Sequence, residues 1–147
     1  MQGLRRRLVY VALYEGIAIA LTSVGIATMS GQGASKSTAL AVISSGIAVV
    51  WNMSFNYGFE AWEARQPERY RSTLRRIAHA IGFEGGLTIV LVPLFAWWLD
   101  VSWWEALVLD AALLLFFLMY TFAFNLAFDK LFGLPDSVSR GIEQHHL

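Results

Sequence analysis

The chain has 147 residues with as many acidic as basic side chains, 56% of its residues are hydrophobic, and its mean hydropathy is +0.51. This composition is far more apolar than that of a soluble domain of the same size, and it assigns the chain to the membrane proteins. The absence of cysteine excludes disulfide bonds, thiolate metal sites and cysteine nucleophiles.

Four apolar runs follow one another along the chain, at residues 8–29, 38–59, 77–99 and 105–128. Each is close to the roughly 20 residues that a helix needs to cross the hydrocarbon core of a bilayer. The first run is longer than a signal-peptide core and lacks a small-residue cleavage site, so it is interpreted as retained. The predicted fold class is an all-α integral membrane protein with four transmembrane helices.

Basic residues are concentrated on one side of these runs. They precede the first run, lie between the second and third, and follow the fourth: Arg5, Arg6, Arg7, Arg65, Arg69, Arg71, Arg75, Arg76, Lys130 and Arg140. The other two connections hold only Lys36. Because positive charge marks the cytoplasmic side, both termini and the central loop are expected in the cytoplasm. The arginine runs are interpreted as topology signals and lipid head-group contacts, not as a nucleic-acid interface.

The second half of the sequence repeats the first at an offset of 69 residues. The paired residues are Arg7 with Arg76, Tyr10 with His79, Tyr14 with Phe83, Glu15 with Glu84, Trp51 with Tyr120, Phe55 with Phe124, Asn56 with Asn125, Phe59 with Phe128 and Glu60 with Asp129. The chain is therefore predicted to consist of two hairpin repeats, residues 1–69 and 70–138, followed by a tail at 139–147. Both copies begin on the same side of the membrane, which makes them parallel repeats.

Glu15 lies eight residues after Arg7, about 12 Å along a helix axis and inside the hydrocarbon region. A charged side chain there costs roughly 2.5 to 3.5 kcal/mol, so the carboxyl should be protonated, paired or facing water. Burial and nearby cations can poise such a group to exchange a proton for a cationic substrate. Glu15 is the predicted proton-coupling residue. A structural ion pair with an arginine is the alternative, and for Glu84 the neighbours Arg76 and His79 make this alternative more relevant.

The predicted substrate-binding residues form stripes on the second and fourth helices, because residues four apart share a helix face. They are Trp51, Asn52, Phe55, Asn56, Phe59 and Glu60, then Tyr120, Phe124, Asn125 and Asp129. Facing inward, these side chains would suit an organic cation, which an aromatic face attracts by roughly 0.5 to 2 kcal/mol. Alternatively, the asparagines hydrogen-bond between helices and the aromatic rings simply pack.

At these residues the chain resembles the proteobacterial antimicrobial compound efflux (PACE) transporters. The stretches RLVYVALYEG, WNMSFNYGFEAWEAR, RRIAHAIGFEGGL and FLMYTFAFNLAFD resemble the motifs of the family's four helices. The resemblance implies a small inner-membrane exporter of chlorhexidine, acriflavine, proflavine and benzalkonium that is driven by the proton gradient. It also implies short-chain diamines as substrates of some members, assembly as a homodimer, and a role in proton coupling for Glu15.

Further residues are predicted to support the site: Arg7, Tyr14, Arg76, His79, Glu84 and Asp110. The family's first-helix motif usually carries histidine where this chain has Tyr10. Because tyrosine titrates near 10, a proton-relay role is not transferred to it. His79 keeps the histidine in the second copy, as a proton shuttle or as a structural hydrogen bonder. Asp110 pairs with Ala41 in the repeat and either helps a substrate leave or lies near the interface.

Other classes of protein explain less of the sequence. A non-transporting membrane scaffold or assembly protein, the main alternative, does not explain duplicated acids beside aromatic stripes. A membrane enzyme would need a nucleophile or a metal set, so no enzyme activity, metal or cofactor is expected. A small multidrug resistance exporter also uses a first-helix glutamate but lacks this hairpin repeat. The expected function is proton-coupled efflux of cationic drugs.

Overall fold

A computed structural model describes residues 3–68 and 70–133, so Arg69, Arg140 and the predicted tail lie outside the described residues. The described chain consists of four helices: α1 (Gly3–Ser30), α2 (Ala34–Glu63), α3 (Thr73–Leu99) and α4 (Trp103–Phe132). All four are long and apolar enough to cross a membrane, which confirms the predicted four-helix transmembrane fold. Each helix extends beyond its apolar run, because helical hydrogen bonding continues into polar residues that hydropathy does not count.

The helix ends follow local sequence signals. Gly31 and Asp100 adopt left-handed backbone conformations, with φ of 69° and 53°, directly after α1 and α3. Ser102 starts α4 with a capping box, in which its hydroxyl accepts from the Glu105 N–H and the Glu105 carboxylate accepts from the Ser102 N–H. These short turns fold α1 on α2 and α3 on α4 as antiparallel hairpins.

The end of the bundle that carries these two turns is here named the turn end, and the opposite end, where α1 and α3 begin, the basic end. Helix contacts are most extensive within each hairpin, and two smaller contacts, α2 with α3 and α1 with α4, join the hairpins. These two contacts are named the α2–α3 seam and the α1–α4 seam. The four helices therefore enclose a central space that is bounded by two hairpins and two seams.

Close packing is concentrated near the turn end. The buried core cluster there consists of Ile26, Leu40, Ala41, Leu91, Val92, Phe95, Leu99, Ala106 and Leu109. Among the described residues, Phe128 is the one buried hydrophobic side chain near the basic end. The bundle is thus closed by apolar side chains at the turn end and packed more loosely towards the basic end.

Candidate functional site

The α1–α4 seam is built around Tyr10. Its hydroxyl donates a hydrogen bond of 2.6 Å to the Asn125 Oδ1 atom. Its ring meets Phe124 and Phe128 edge-on, with centroids 5.2 and 5.1 Å away. Edge-to-face contacts of this kind are favourable because the positive ring edge faces the negative ring face. An aromatic and an amide side chain of α4 are therefore held against α1.

The α2–α3 seam repeats this arrangement with residues 69 positions away. His79 Nε2 lies 2.7 Å from Asn56 Oδ1, and because the amide oxygen only accepts, the imidazole N–H donates. The His79 ring meets Phe55 and Phe59 edge-on, with centroids 5.1 and 4.8 Å away. Tyr10 therefore makes the same contacts as His79, since a phenol O–H and an imidazole N–H can both donate to an asparagine.

A second pair of equivalent hydrogen bonds lies about one helical turn closer to the turn end. The Trp51 indole N–H donates to the Phe83 carbonyl at 3.0 Å, and the Tyr120 hydroxyl donates to the Tyr14 carbonyl at 2.8 Å. Equivalent residues of the two halves thus make equivalent contacts across the two seams. The domain boundaries at residues 69 and 138 stay a prediction.

At the basic end each seam has an arginine that pairs with a carboxylate and lies over the equivalent phenylalanine ring, but the paired residues are not equivalent in the repeat. Arg6 donates to Asp129 at 2.9 Å and to the Gly133 carbonyl at 2.8 Å, and its guanidinium lies 4.9 Å from the centroid of the Phe128 ring. On the other seam, Arg71 pairs with Glu63 at 2.6 Å.

Three of the predicted residues are exposed: the supporting residues Arg7 and Arg76 and the binding residue Glu60. The predicted binding residue Asp129 is instead held by Arg6.

Replacing Arg6 with glutamine is expected to destabilise the protein by about 1 to 2 kcal/mol, because the change removes a charge-assisted hydrogen bond and a cation–π contact. Arg5→Gln makes the same change in charge at an exposed residue and is the matched control. Thermal unfolding of the purified variants in detergent measures the difference. An equal loss of stability in both variants would show that net charge, and not the contacts of Arg6, is responsible.

A cavity of about 550 Å³ lies between the four helices, on the turn-end side of the seams. Three carboxyl groups line it, those of Glu15 on α1, Glu84 on α3 and Asp110 on α4. Its aromatic lining residues are Tyr14, Phe83, Phe117 and Phe95. None of the described basic side chains lines the cavity, so its carboxyl groups have no fixed countercharge within it.

Hydroxyl groups hold two of these carboxyls. Ser45 on α2 donates to Glu15 Oε2 at 2.6 Å, and Thr88 on α3 donates to Asp110 Oδ2 at 2.8 Å. The ion pairs found among the described residues are Arg6–Asp129 and Arg71–Glu63. Within the part of the chain that the structure describes, neither Glu15 nor Glu84 is therefore in an ion pair.

Two more hydroxyls of the cavity wall have no hydrogen-bond partner among the described residues. Thr22 on α1 and Ser44 on α2 are 6% and 9% exposed, and their hydroxyl oxygens make no hydrogen bond among the described residues. Buried polar atoms are normally hydrogen-bonded, because leaving one unsatisfied costs about 1 to 3 kcal/mol. The wall of the cavity thus contains two buried hydroxyl oxygens that have no hydrogen-bond partner among the described residues.

The structure separates the predicted residues into two groups. Glu15, Tyr14, Glu84, Asp110 and Asn52 line the cavity. The remaining stripe residues on α2 and α4 lie in the seams or at the basic end, outside the cavity lining: Trp51, Phe55, Asn56, Phe59, Glu60, Tyr120, Phe124, Asn125 and Asp129. Whether either group binds a substrate stays a prediction.

Sequence reasoning did not include the hydroxyl residues. Their signal is helical spacing from the predicted acids, since Thr88 follows Glu84 by four residues and Thr22 follows Glu15 by seven. On α2, Ser44 and Ser45 belong to a stripe of small and polar residues that leads to Asn52. A helix face that carries small side chains leaves room for a cavity beside it.

The sequence model of the chlorhexidine efflux transporter family matches residues 2–65 and again 71–134, two segments that begin 69 residues apart. A short-chain diamines transporter from Vibrio parahaemolyticus is 36% identical over 124 residues, covering 84% of this chain and 88% of the relative. Proteins of the same name from Acinetobacter baylyi and Acinetobacter baumannii are each 35% identical over 127 residues, covering 86% of this chain and 89% and 88% of the relatives. No solved structure matches the chain. The chain therefore belongs to the chlorhexidine efflux transporter family, the PACE family that its motifs resemble, and is a multi-pass membrane transporter, not an enzyme.

Proposed function

We propose that this transporter exports organic cations across the bacterial inner membrane in exchange for protons, with Glu15 as the proton-coupling residue. The observation that carries the proposal is the cavity with three carboxyl groups and no described basic side chain in its lining. Its volume of about 550 Å³ is within the range of small-molecule sites, roughly 300 to 1,000 Å³.

The exchange of protons for cations follows from the free-energy cost of an unpaired charge in the cavity. An unpaired carboxylate inside a membrane bundle is costly, so each carboxyl carries a proton, faces a cation or faces water. A cation that enters the cavity therefore competes with protons for the same oxygen atoms. Competition at a shared site is sufficient for antiport if the cavity opens to one side of the membrane at a time.

The cavity wall suits the proposed substrates. The rings of Tyr14, Phe83 and Phe117 offer aromatic faces close to the carboxyl groups, and aromatic faces attract organic cations most strongly where water is excluded. Chlorhexidine, acriflavine, proflavine and benzalkonium combine positive charge with apolar or aromatic bulk. The relatives named short-chain diamines transporters make diamines a further candidate substrate.

The seam residues are proposed members of the substrate path towards the basic end. Asn56 donates to Asn52 at 2.9 Å, so a hydrogen-bonded chain runs from His79 through Asn56 to a residue of the cavity wall. Parting the seams would open the cavity between Phe59 and Glu60 on one side and Asn125 and Asp129 on the other. With both termini in the cytoplasm, as the basic residues predict, this route would lead from the cytoplasm, and a homodimer is the proposed assembly.

Proton movement in proteoliposomes tests the proposal. Vesicles with an acidic lumen and a trapped pH-sensitive dye should become less acidic when chlorhexidine, acriflavine or a short diamine is added outside, because entering cations displace protons outward. Protein-free vesicles of the same lipid are the control for passive leakage. If correctly reconstituted protein gives no more proton movement than protein-free vesicles with any of the three compounds, the proposal fails.

A further inference from the structure

Asp110 breaks the symmetry of the repeat inside the cavity. Glu15 and Glu84 are equivalent residues, whereas the residue equivalent to Asp110 is Ala41, which also lines the cavity. The second half of the chain therefore contributes two carboxyl groups and the first half one. The extra carboxyl is outside the family motifs that the sequence carries.

The extra carboxyl lies at a different depth. Thr88 follows Glu84 on α3 by four residues, which places it about 6 Å closer to the turn end. Because Thr88 donates to Asp110 at 2.8 Å, the Asp110 carboxyl lies about one helical turn closer to the turn end than Glu84. The cavity thus has one acidic level at the two glutamates and a second level, nearer the apolar floor, at Asp110.

Thr22, one of the two hydroxyl residues without a partner among the described residues, belongs to the same inner part of the cavity. Thr22 follows Glu15 by seven residues, about 10 Å towards the turn end. A helical hydroxyl can bond to the carbonyl four residues back, as Ser23 does to Ile19, but Thr22 does not. The Thr22 and Ser44 oxygens together with the Asp110 carboxylate provide three acceptor groups, and a primary ammonium group has three N–H donors.

We propose that Asp110, positioned by Thr88 and completed by the Thr22 and Ser44 hydroxyls, is a second cation subsite that selects substrates with two ammonium groups on a short spacer over singly charged amines. The inference rests on the proposed function, because the glutamate level is taken to hold the first ammonium group. A singly charged amine can use the glutamates alone, so only a doubly charged substrate gains from Asp110.

Calorimetric binding to the purified full-length protein in detergent tests this subsite with two probes, putrescine and butylamine, which share a four-carbon chain but differ in charge. Asp110→Asn should weaken putrescine binding about tenfold or more, as expected for loss of one charge-assisted hydrogen bond, and change butylamine binding less than about threefold. Asp100→Asn, an exposed residue in a left-handed turn that asparagine also tolerates, is the matched control. Equal effects on both amines, or no effect on either, would overturn the inference.

Further variants cover the case in which Asp110→Asn does not fold. Thr22→Val keeps the shape and removes one acceptor, and Thr88→Val keeps the carboxyl but frees it, so each should weaken putrescine binding several-fold and leave butylamine binding unchanged. Asp110→Glu keeps the charge and should retain the preference for putrescine. Wild-type protein that does not distinguish the two amines also contradicts the subsite.

The proposed function can fail separately. If wild-type protein binds putrescine through Asp110 but moves no protons in vesicles, proton coupling is wrong and the subsite stands. If wild-type protein exchanges protons for both amines and Asp110→Asn keeps their ratio, the subsite is wrong and proton coupling stands.

Discussion

Replacing Glu15 with glutamine is expected to abolish substrate-dependent proton movement in proteoliposomes while the protein still folds. Glutamine cannot release a proton, so cation entry no longer displaces one from this position. The fold should persist because the Ser45 hydroxyl, which donates to Glu15 at 2.6 Å, can donate equally well to the amide oxygen of glutamine. The measurement is the change in lumenal pH on adding chlorhexidine, with folding checked by size-exclusion chromatography and thermal unfolding.

Ser45→Ala separates the carboxyl from its hydrogen bond. This variant keeps the proton-binding group and loses only the orienting hydroxyl, so a reduced but measurable proton movement is expected. Glu84→Gln, at the equivalent position of the second half, reports whether one or two acids carry protons. Wild-type proton movement in Glu15→Gln would refute the role of Glu15 in coupling and would leave the family membership unchanged.

The four-helix fold could be predicted because hydropathy alone reports it. Runs of about 20 apolar residues have one stable arrangement in a bilayer, in which every backbone group is bonded within the helix. The two acids Glu15 and Glu84 could also be predicted, since a carboxyl within such a run and its copy 69 residues later are both visible in the sequence. Their presence in one cavity agrees with their equivalent positions in the repeat.

The surroundings of the aromatic stripes could not be predicted in the same way. Helical spacing indicates which residues share a helix face, but it does not indicate which neighbouring helix that face packs against. In the structure, Phe55 packs on His79 of α3 and Phe124 packs on Tyr10 of α1, in the two seams. The cavity instead lies beside the small residues of α2, because small side chains leave the space that large rings fill.

Replacing Gly86 with alanine is expected to have the largest effect on stability. A Cβ atom there would lie 2.7 Å from Cη2 of the Trp51 ring and closer still to Cζ2, so the ring or the helix must move. Moving the ring disturbs the hydrogen bond from Trp51 to the Phe83 carbonyl. Overpacking costs about 1 to 3 kcal/mol and a lost hydrogen bond about 1 kcal/mol, which exceeds the gain of at most about 1 kcal/mol in helix propensity. Thermal unfolding in detergent measures the loss.

The neighbouring glycine supplies the matched control. A Cβ atom on Gly85 meets nothing within 4 Å, so Gly85→Ala has the same propensity gain without the overlap and should be neutral or slightly stabilising. The α1–α4 seam suggests a rescue, because the equivalents of Gly86 and Trp51 there are Ile17 on α1 and Tyr120 on α4, a larger residue with a smaller ring. Trp51→Tyr should therefore cost less in the Gly86→Ala background than in the wild type, a coupling that independent sites would not give. If Gly86→Ala is as stable as Gly85→Ala, the close packing of α2 on α3 at Trp51 is wrong, and with it the seam that bounds the cavity on this side.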